Sequence, residues 1–470
     1  MRFVCMKNEV KQVSARSRML RWCSIYLTER PLVFILAAAV GLGAGCMAWL
    51  LKMAIRYISE LVIATVHSVG PNWWLIVVPA VGILIVVFLL YKVFRVNVAH
   101  GVRHMQSDME HHISYVPAKI TYIPLVTSAI TLGCGGSAGA EGPIAYSGAA
   151  LGSTVSRLFK LSAPMAMLMT ACGAGAGIAA IFKAPIGGAL FTLEVLRMSR
   201  GAYGTMVLFV ATLFAGLTAT ALGGFNLDMV FTQAVTYHTS IIPWAILLGL
   251  FCGLYSLYYS YIMKLVGNLL DLMKNRWIKG VVAGVLLGVT LLLFPALYGE
   301  GYDVMGKVLN GDFSAMTYGT VWNDGIDNDA LRIFVIGLCI LLIKCFSTSL
   351  SYNGGGVTGE FAPTLFAGCF AGYVFGTACN WLFGADLPVG QLAFMGMAGV
   401  MAGAIRAPFM AMFIVVEMSS AYSLLLPLAI VSGISFGVMR LFTSDSFFSK
   451  EMDRNNGVLH FIKAHTHRKA

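Results

Sequence analysis

Long apolar segments recur along this chain, and they constrain its fold more than any other feature. Charged residues make up only 11% of the 470 residues, against about 25% in a typical soluble domain. Crossing a bilayer core of about 30 Å takes roughly 20 apolar residues of helix. A soluble enzyme, a disordered chain and a nucleic-acid-binding protein are therefore excluded, and we predict an all-α polytopic membrane protein. The long apolar runs lie at 31–51, 73–93, 206–222, 241–265, 281–297 and from 331 onward.

A second set of apolar segments is shorter and is interrupted by glycine, proline or isolated charges. Such segments can form half-helices that meet at the membrane midplane. Their unpaired N–H groups and helix dipoles attract an anion there, which is typical of a transporter or channel rather than a receptor. These segments lie at 120–132, 143–158, 165–181, 185–196, 363–375, 392–405 and 408–416.

The two halves of the chain repeat each other. The block 173–194 matches the block 396–417 position by position without a gap, and each contains a basic residue followed by Ala-Pro. Upstream, Gly-Ala-Glu-Gly-Pro at 139–143 matches Gly-Glu-Phe-Ala-Pro at 359–363. We interpret this pattern as an internal duplication, which is a common construction of transport proteins.

The segment from Gly133 to Pro143 is the strongest candidate for a functional site. Its glycines expose backbone N–H groups, and Pro143 stands where a helix would begin, so that its missing N–H costs nothing. A glycine-rich loop ahead of a helix can bind an anion. It is not a nucleotide-binding P-loop, because the Lys-Ser/Thr pair is absent. Glu141 is costly in an apolar chain unless it competes with the anion, titrates or pairs with a nearby basic residue.

These motifs resemble those of the CLC family of chloride channels and proton-coupled chloride transporters. Residues 139–143 resemble the family's Gly-[Lys/Arg]-Glu-Gly-Pro motif, 359–363 resemble its Gly-x-Phe-x-Pro motif, and 173–194 are similar to a third block. The similarity extends over about 31–450. It implies a CLC-like fold of about 18 helices in two inverted, duplicated halves, with broken half-helices at the midplane. It also implies a homodimer with one anion pathway in each subunit.

The resemblance assigns roles to individual residues. Glu141 would be the gating glutamate, whose carboxylate occupies an anion site and leaves it when protonated. Phe361 would present its backbone N–H to the anion. The other positions expected to line the anion pathway are His100, Gly101, Val102, Gly139, Gly142, Glu360, Ala362 and Phe448. No metal ion or organic cofactor is expected.

Four departures from the family pattern leave the anion and the mode of transport open. His100 stands where the family has a serine that binds the central anion; an imidazole donates one hydrogen bond and gains charge on protonation. Ala140 replaces the basic residue before the gating glutamate. Val195 replaces the inward-facing glutamate of many transporters, as in the family's channels, and cannot relay a proton. Phe448 replaces the tyrosine of the inner side and lacks its hydroxyl. A channel and a proton-coupled antiporter both fit these residues.

Glu360 is unexpected, because family members usually have an apolar residue directly before the phenylalanine. One interpretation is a glutamate that interacts with its own helix dipole, worth about 0.3–1 kcal/mol, or pairs with a lysine such as Lys183. The other is that its carboxylate replaces the acid missing at Val195 and accepts protons beside the central anion.

A competing site consists of His100, His104, Asp108 and His111, which recur at spacings of four, four and three. On one helix they would share a face, and imidazole with carboxylate suits a transition metal. The chain would then be a secondary transporter of a cation or metal, although the same stretch equally fits a solvated loop. An enzyme is the weakest hypothesis, because no HExxH or GxSxG motif is present.

Basic residues predict the topology. Arginines precede the first apolar run, and the last residues are basic too, so both termini are expected in the cytoplasm. We expect a cytoplasmic segment 1–30, a transmembrane domain 31–450 with halves at about 31–240 and 241–450, and a short cytoplasmic tail 451–470 without CBS domains. The expected location is the plasma membrane. Expected partners are chloride or another small anion, protons, membrane lipid and a second copy of the chain, but no nucleic acid.

Overall fold

The computed structural model describes residues 29–67, 74–96, 102, 105–106, 115–198, 201–224, 229, 231, 239–320 and 328–443. Within these ranges the fold is all-helical, as predicted, and the expected total of about 18 helices refers to the whole chain. The α-helices are α1 Glu29–His67, α2 Trp74–Phe88, α3 Ile123–Gly133, α4 Glu141–Leu158, α5 Ala163–Phe182, α6 Pro185–Leu190, α7 Gly201–Gly223, α8 Ile242–Asp271, α9 Arg276–Leu293, α10 Tyr302–Leu309, α11 Asp329–Asn353, α12 Phe361–Phe383, α13 Val389–Ile405, α14 Pro408–Ser419 and α15 Leu425–Phe442.

The duplication is visible in the order of the helices. In the first half α4, α5 and α6 follow one another, and α12, α13 and α14 repeat this order in the second half. The basic-Ala-Pro motif forms the corner between the last two helices of each set. Lys183 and Arg406 end α5 and α13 in the left-handed conformation, at φ 53° and 66°. Pro185 and Pro408 then begin α6 and α14, where a proline is favoured.

Glycines let the paired helices approach closely at equivalent places in the two halves. Gly148 of α4 faces Gly173 of α5, and a Cβ on either would strike the other's backbone carbonyl. Gly368 of α12 and Gly396 of α13 meet in the same way. Small residues at helix contacts are the usual means of tight packing in a membrane.

Two glutamates connect the halves by capping each other's short helices. The Glu194 carboxylate, in the π-helical turn after α6, accepts the N–H groups of Met410 and Phe409 at 2.7 and 3.3 Å. The Glu417 carboxylate, near the end of α14, accepts those of Gly187 and Ile186 at 2.8 and 3.1 Å. Each acid therefore satisfies the unpaired N–H groups at the start of the other half's helix.

Nine helices of the described residues are long and apolar enough to cross a membrane. They include α5 and α12, which the sequence analysis placed among the shorter, interrupted segments as 165–181 and 363–375. Both helices are longer than that, and both lie inside the bundle, with 89% and 83% of their apolar 18-residue stretches buried. Glycine is tolerated there because neighbouring helices pack against it.

Candidate functional site

Two glycine-rich loops, one from each half, meet inside the fold. The first loop (134–140) leads into α4, and the second loop (354–360) leads into α12. Gly139 and Gly359 form an antiparallel β-bridge in which each N–H donates to the other's carbonyl, at 3.1 and 2.6 Å. The bridge places the N-termini of α4 and α12 side by side, as the half-helix pattern predicts.

Glu141 is the first residue of α4, and its side chain is completely buried. The carboxylate lies at the bridge between the two loops, because a Cβ on either Gly139 or Gly359 would meet Glu141 Oε2. Among the described residues this oxygen accepts no hydrogen bond, and the backbone N–H of Ala362, in the first turn of α12, acts on the carboxylate electrostatically. The Tyr302 hydroxyl donates to Glu141 Oε1 at 3.2 Å. The carboxylate thus sits against the N-terminus of the other half's helix, where N–H groups and the helix dipole favour a negative charge.

A cleft lined by charged residues of both signs lies next to the two side chains that hold this carboxylate and the first loop. Its volume is about 690 Å³, and Tyr302, which bonds Glu141, contributes to its wall. Glu300 also lines it, and Glu300 Oε1 accepts the Ala140 N–H at 3.1 Å. Further charged residues of the lining are Lys52, Arg56, Glu60 and Asp303. The cleft therefore reaches the residues that hold the first loop and the glutamate.

Lys344 of α11 lies buried behind the first loop. Its ammonium donates to Ser137 Oγ at 2.9 Å and stands over the ring of Phe366, 4.4 Å from the centroid. The Ser137 N–H in turn donates to Ser351 Oγ, one further residue of α11, at 2.9 Å. The first loop is thus held by α11 as well as by the second loop.

Glu360 is the N-cap residue of α12 and is buried, with 5% of its surface exposed. Its side chain makes no capping hydrogen bond to the helix. Its carboxylate instead interacts electrostatically with Tyr259 of α8, whose ring is also fully buried. Lys183, the lysine considered as a partner of Glu360 in the sequence analysis, donates to the Gly224 carbonyl at 3.3 Å.

Comparison with known proteins decides the family. A model of the voltage gated chloride channel (CLC) family matches residues 82–440. The chain belongs to this family. The resemblance inferred from the sequence motifs is thereby confirmed.

Relatives of the chain within the CLC family include exchange transporters. The H(+)/Cl(-) exchange transporter ClcA of Vibrio cholerae is 25% identical over 416 residues, covering 85% of this chain and 84% of the relative. The ClcA of Klebsiella pneumoniae is 24% identical over 415 residues, covering 85% and 83%. These relatives lend no support to the metal-transporter alternative.

Two solved CLC structures share the fold. The slow cyanobacterial Cl-/H+ antiporter has a TM-score of 0.77 at 20% identity, with 90% of this chain and 97% of that chain covered. The CLC-type fluoride/proton antiporter has a TM-score of 0.71 at 20% identity, with 89% and 97% covered. The predicted all-helical membrane fold with duplicated halves is therefore confirmed.

The structure brings most of the predicted site residues together and leaves some outside the described residues. The two loops and the first turns of α4 and α12 carry Gly139, Glu141, Gly142, Glu360, Phe361 and Ala362. Val102 is buried, with 7% exposure. His100, Gly101, His104, Asp108, His111 and Phe448 lie outside the described residues. Within the described part, no group of three or more His, Cys, Asp or Glu could hold a metal.

Sequence reasoning missed two charged residues of this site, Lys344 and Glu300. Neither belongs to a motif. Lys344 is one charge inside a long apolar run, and Glu300 lies between two glycines in a loop. The only available signal was the cost of an isolated charge in an apolar segment, which by itself marks Lys344 as a functional candidate.

Proposed function

We propose that this protein exchanges chloride, or a similar small anion, for protons across a membrane, with Glu141 as its gate. One observation carries the proposal: the buried Glu141 carboxylate lies where the two loops meet at the starts of α4 and α12, so that a Cβ on Gly139 or Gly359 would meet its Oε2. A carboxylate in this position occupies the place where a transported anion would bind. The naming of the relatives as H(+)/Cl(-) exchange transporters supports the same activity.

In this mechanism one carboxylate performs two tasks. While ionised, it competes with the anion for the N–H groups at the start of α12. Protonation removes its charge, so that it binds these groups more weakly and an anion can replace it. The proton taken up by Glu141 moves with the carboxylate, and anion and proton movement become coupled. The cleft that Tyr302 and Glu300 line ends beside this place, with the Tyr302 hydroxyl between the cleft and the carboxylate, and we propose that protons and anions enter from this cleft.

We propose that Glu360 accepts protons in place of the inward-facing glutamate that many family transporters have at the position of Val195. The buried position of Glu360, directly before Phe361 in the second loop, supports this role. The Glu360 side chain makes no capping hydrogen bond to α12, so helix capping does not explain why an acid stands at this position.

We propose that His100 contributes to the choice of anion, since it stands where the family has a serine. The relative permeabilities to chloride, nitrate and fluoride of His100→Ser test this. A shift in these ratios is expected, and unchanged ratios would remove His100 from the pathway.

The exchange itself is tested with purified protein in liposomes. The reversal potential is measured in opposed chloride and proton gradients. We expect a potential that shifts with the proton gradient as well as with chloride. A potential that follows chloride alone would identify a passive channel, and the absence of any anion flux would reject anion transport altogether.

We also propose a homodimer in the plasma membrane with both termini in the cytoplasm. Large apolar side chains are exposed on α7, α14 and α15, among them Leu217, Phe409 and Leu426, and they are surfaces that a partner subunit or lipid would cover. Counting photobleaching steps of labelled protein in bilayers tests the dimer, and accessibility of terminal tags in intact cells tests the topology.

A further inference from the structure

We propose that Lys344 is an anion-binding residue of the transport pathway and supplies the positive charge that draws the anion to the first loop. This inference rests on the proposed anion transport. It assigns the affinity for the anion to a side chain that lies 203 residues from Glu141 in sequence and outside every motif of the chain.

The burial of Lys344 is the first step of the argument. Its side chain has no exposed surface, and it is the one Lys or Arg among the buried side chains of the described residues. An ionisable group inside the membrane is costly, and such groups usually face a pathway or a partner. Here the group stands beside the loop that leads to the gate.

The contacts of Lys344 show which kind of partner it lacks. In the described ranges its ammonium makes one hydrogen bond, to the neutral Ser137 hydroxyl, and one contact with the face of the Phe366 ring. It forms no salt bridge with a described carboxylate. An ammonium has three donors, so one hydroxyl and one ring do not exhaust its capacity to bind a negative group.

The charges around Lys344 connect it to the gate. The carboxylates that act on it electrostatically are those of Glu141 and Glu300, one at the start of α4 and one in the cleft. A positive charge here attracts whichever negative group occupies the site, because the attraction between charges is stronger in a low-dielectric interior than in water. When Glu141 is protonated, the anion that replaces it becomes the negative charge facing Lys344.

Among the described residues, no other lysine or arginine is buried beside the two loops. Ala140 occupies the position directly before Glu141, so no basic side chain begins α4. The Ala140 N–H is bonded by the Glu300 carboxylate, which adds negative charge. With acids at Glu141, Glu300 and Glu360 around the two loops, Lys344 is the charge that keeps a small anion attracted there.

The test compares variants of the full chain reconstituted in liposomes, in the parent and in the Glu141→Gln background. Lys344→Gln retains a donor for Ser137 but removes the charge, and Lys344→Arg restores the charge. Ser137→Ala is the matched control, because it removes the hydrogen bond and leaves the charge. The measured quantity is the chloride concentration that gives half-maximal flux.

We expect Lys344→Gln to raise this concentration about tenfold or more. A hydrogen bond to a charged group contributes roughly 1.5–3 kcal/mol to binding, and about 1.4 kcal/mol corresponds to a tenfold change in affinity. The increase should occur in both backgrounds, because the anion itself is the partner. Lys344→Arg should return the value to within about threefold of the parent, and Ser137→Ala should change it no more than that.

Three results would overturn the proposal. An effect that disappears in the Glu141→Gln background would mean that Lys344 acts only on the carboxylate. If Ser137→Ala raises the half-maximal chloride concentration as much as Lys344→Gln does, and Lys344→Arg does not restore the parental value, then Lys344 only supports the structure of the first loop. Parental affinity in Lys344→Gln would exclude it from the pathway. If the parent protein itself moves no anion, the proposed function fails, and this inference falls with it.

Where Lys344→Gln does not yield folded protein, Lys344→Arg and Lys344→Met are compared by chloride-induced thermal stabilisation. Chloride stabilises the folded state only to the extent that it binds. Stabilisation should be retained in Lys344→Arg and lost in Lys344→Met, and equal stabilisation of the two would reject the proposal.

Discussion

The two loop–helix junctions of this protein share one backbone arrangement but carry different side chains. At the first junction, Ala140 precedes Glu141, and the acid is the first residue of α4. At the second, Glu360 precedes Phe361, and the acid lies one residue earlier, at the N-cap of α12. The Phe361 ring packs edge-on against Phe191, with the centroids 5.7 Å apart. A shift of one residue therefore sends the two acids to different surroundings.

In the proposed mechanism, this difference lets a duplicated frame act as a gate. The second junction provides the start of α12, and the first provides the carboxylate that lies against the bridge beside it. If both helices began with the same residue, two acids would compete for one anion site or no acid would occupy it. The duplication supplies two adjacent helix N-termini, and the difference in sequence would assign one to anion binding and the other to gating.

The largest effect is expected from neutralising the acid of the first junction. Glu141→Gln should abolish proton coupling and the pH dependence of flux while anion transport persists, because an amide carries no charge and takes up no proton. Flux and proton movement are measured in the same liposomes. Glu417→Gln serves as a control that removes a half-buried acid elsewhere. Full pH dependence in Glu141→Gln would place the gate at another residue.

Neutralising the acid of the second junction sharpens the comparison. Glu360→Gln should weaken coupling or acid activation while anion flux and folding survive, provided that Glu360 carries protons. The measurement is the ratio of anions to protons transported. A pH profile and coupling ratio equal to those of the parent would leave Glu360 as a residue at the helix start without a part in proton transfer.

The motifs predicted the two junctions well, because each motif is local. Gly139, Glu141 and Phe361 lie where the glycine-rich loops and helix starts were expected. Interactions between distant segments could not be predicted in this way. Ser137 bonds Lys344 across 207 residues, and nothing in either segment indicates the pairing.

The glutamates at the ends of the repeated blocks illustrate the same limit. The duplication aligned Glu194 with Glu417, but only the packing of α6 against α14 shows that each acid caps the helix of the other half. The repeat is detectable from sequence because its positions correspond one to one. That each glutamate caps a helix of the opposite half depends on how the two halves pack, and the residues next to each glutamate do not specify that packing.

The paired glycines of the β-bridge give a stability test of the comparison. A Cβ on Gly359 would lie 2.6 Å from the Gly142 N, a backbone atom that cannot move freely, whereas a Cβ on Gly139 would strike the movable Glu141 carboxylate. We expect Gly359→Ala to lower the free energy of unfolding by about 1–3 kcal/mol. Gly139→Ala should fold but displace the carboxylate and alter the pH dependence of flux. Melting temperatures in detergent, together with flux, separate the two, and equal destabilisation would contradict the difference.

The smallest effect is expected from the reciprocal caps, where the halves are most alike. In Glu194→Gln and Glu417→Gln, the amide oxygen still accepts one N–H of the opposite helix, but the NH2 group replaces the second acceptor and the charge that complements the helix dipole is lost. Each should lower the free energy of unfolding by about 1 kcal/mol. The two losses should be similar, because the hydrogen bonds match in length, 2.7 and 3.3 Å against 2.8 and 3.1 Å. Thermal unfolding in detergent measures them, and the ratio of anions to protons is recorded for both. Since Glu194 lies directly before Val195, a change in coupling in Glu194→Gln alone would give this acid a part in proton transfer and end the equivalence of the two caps.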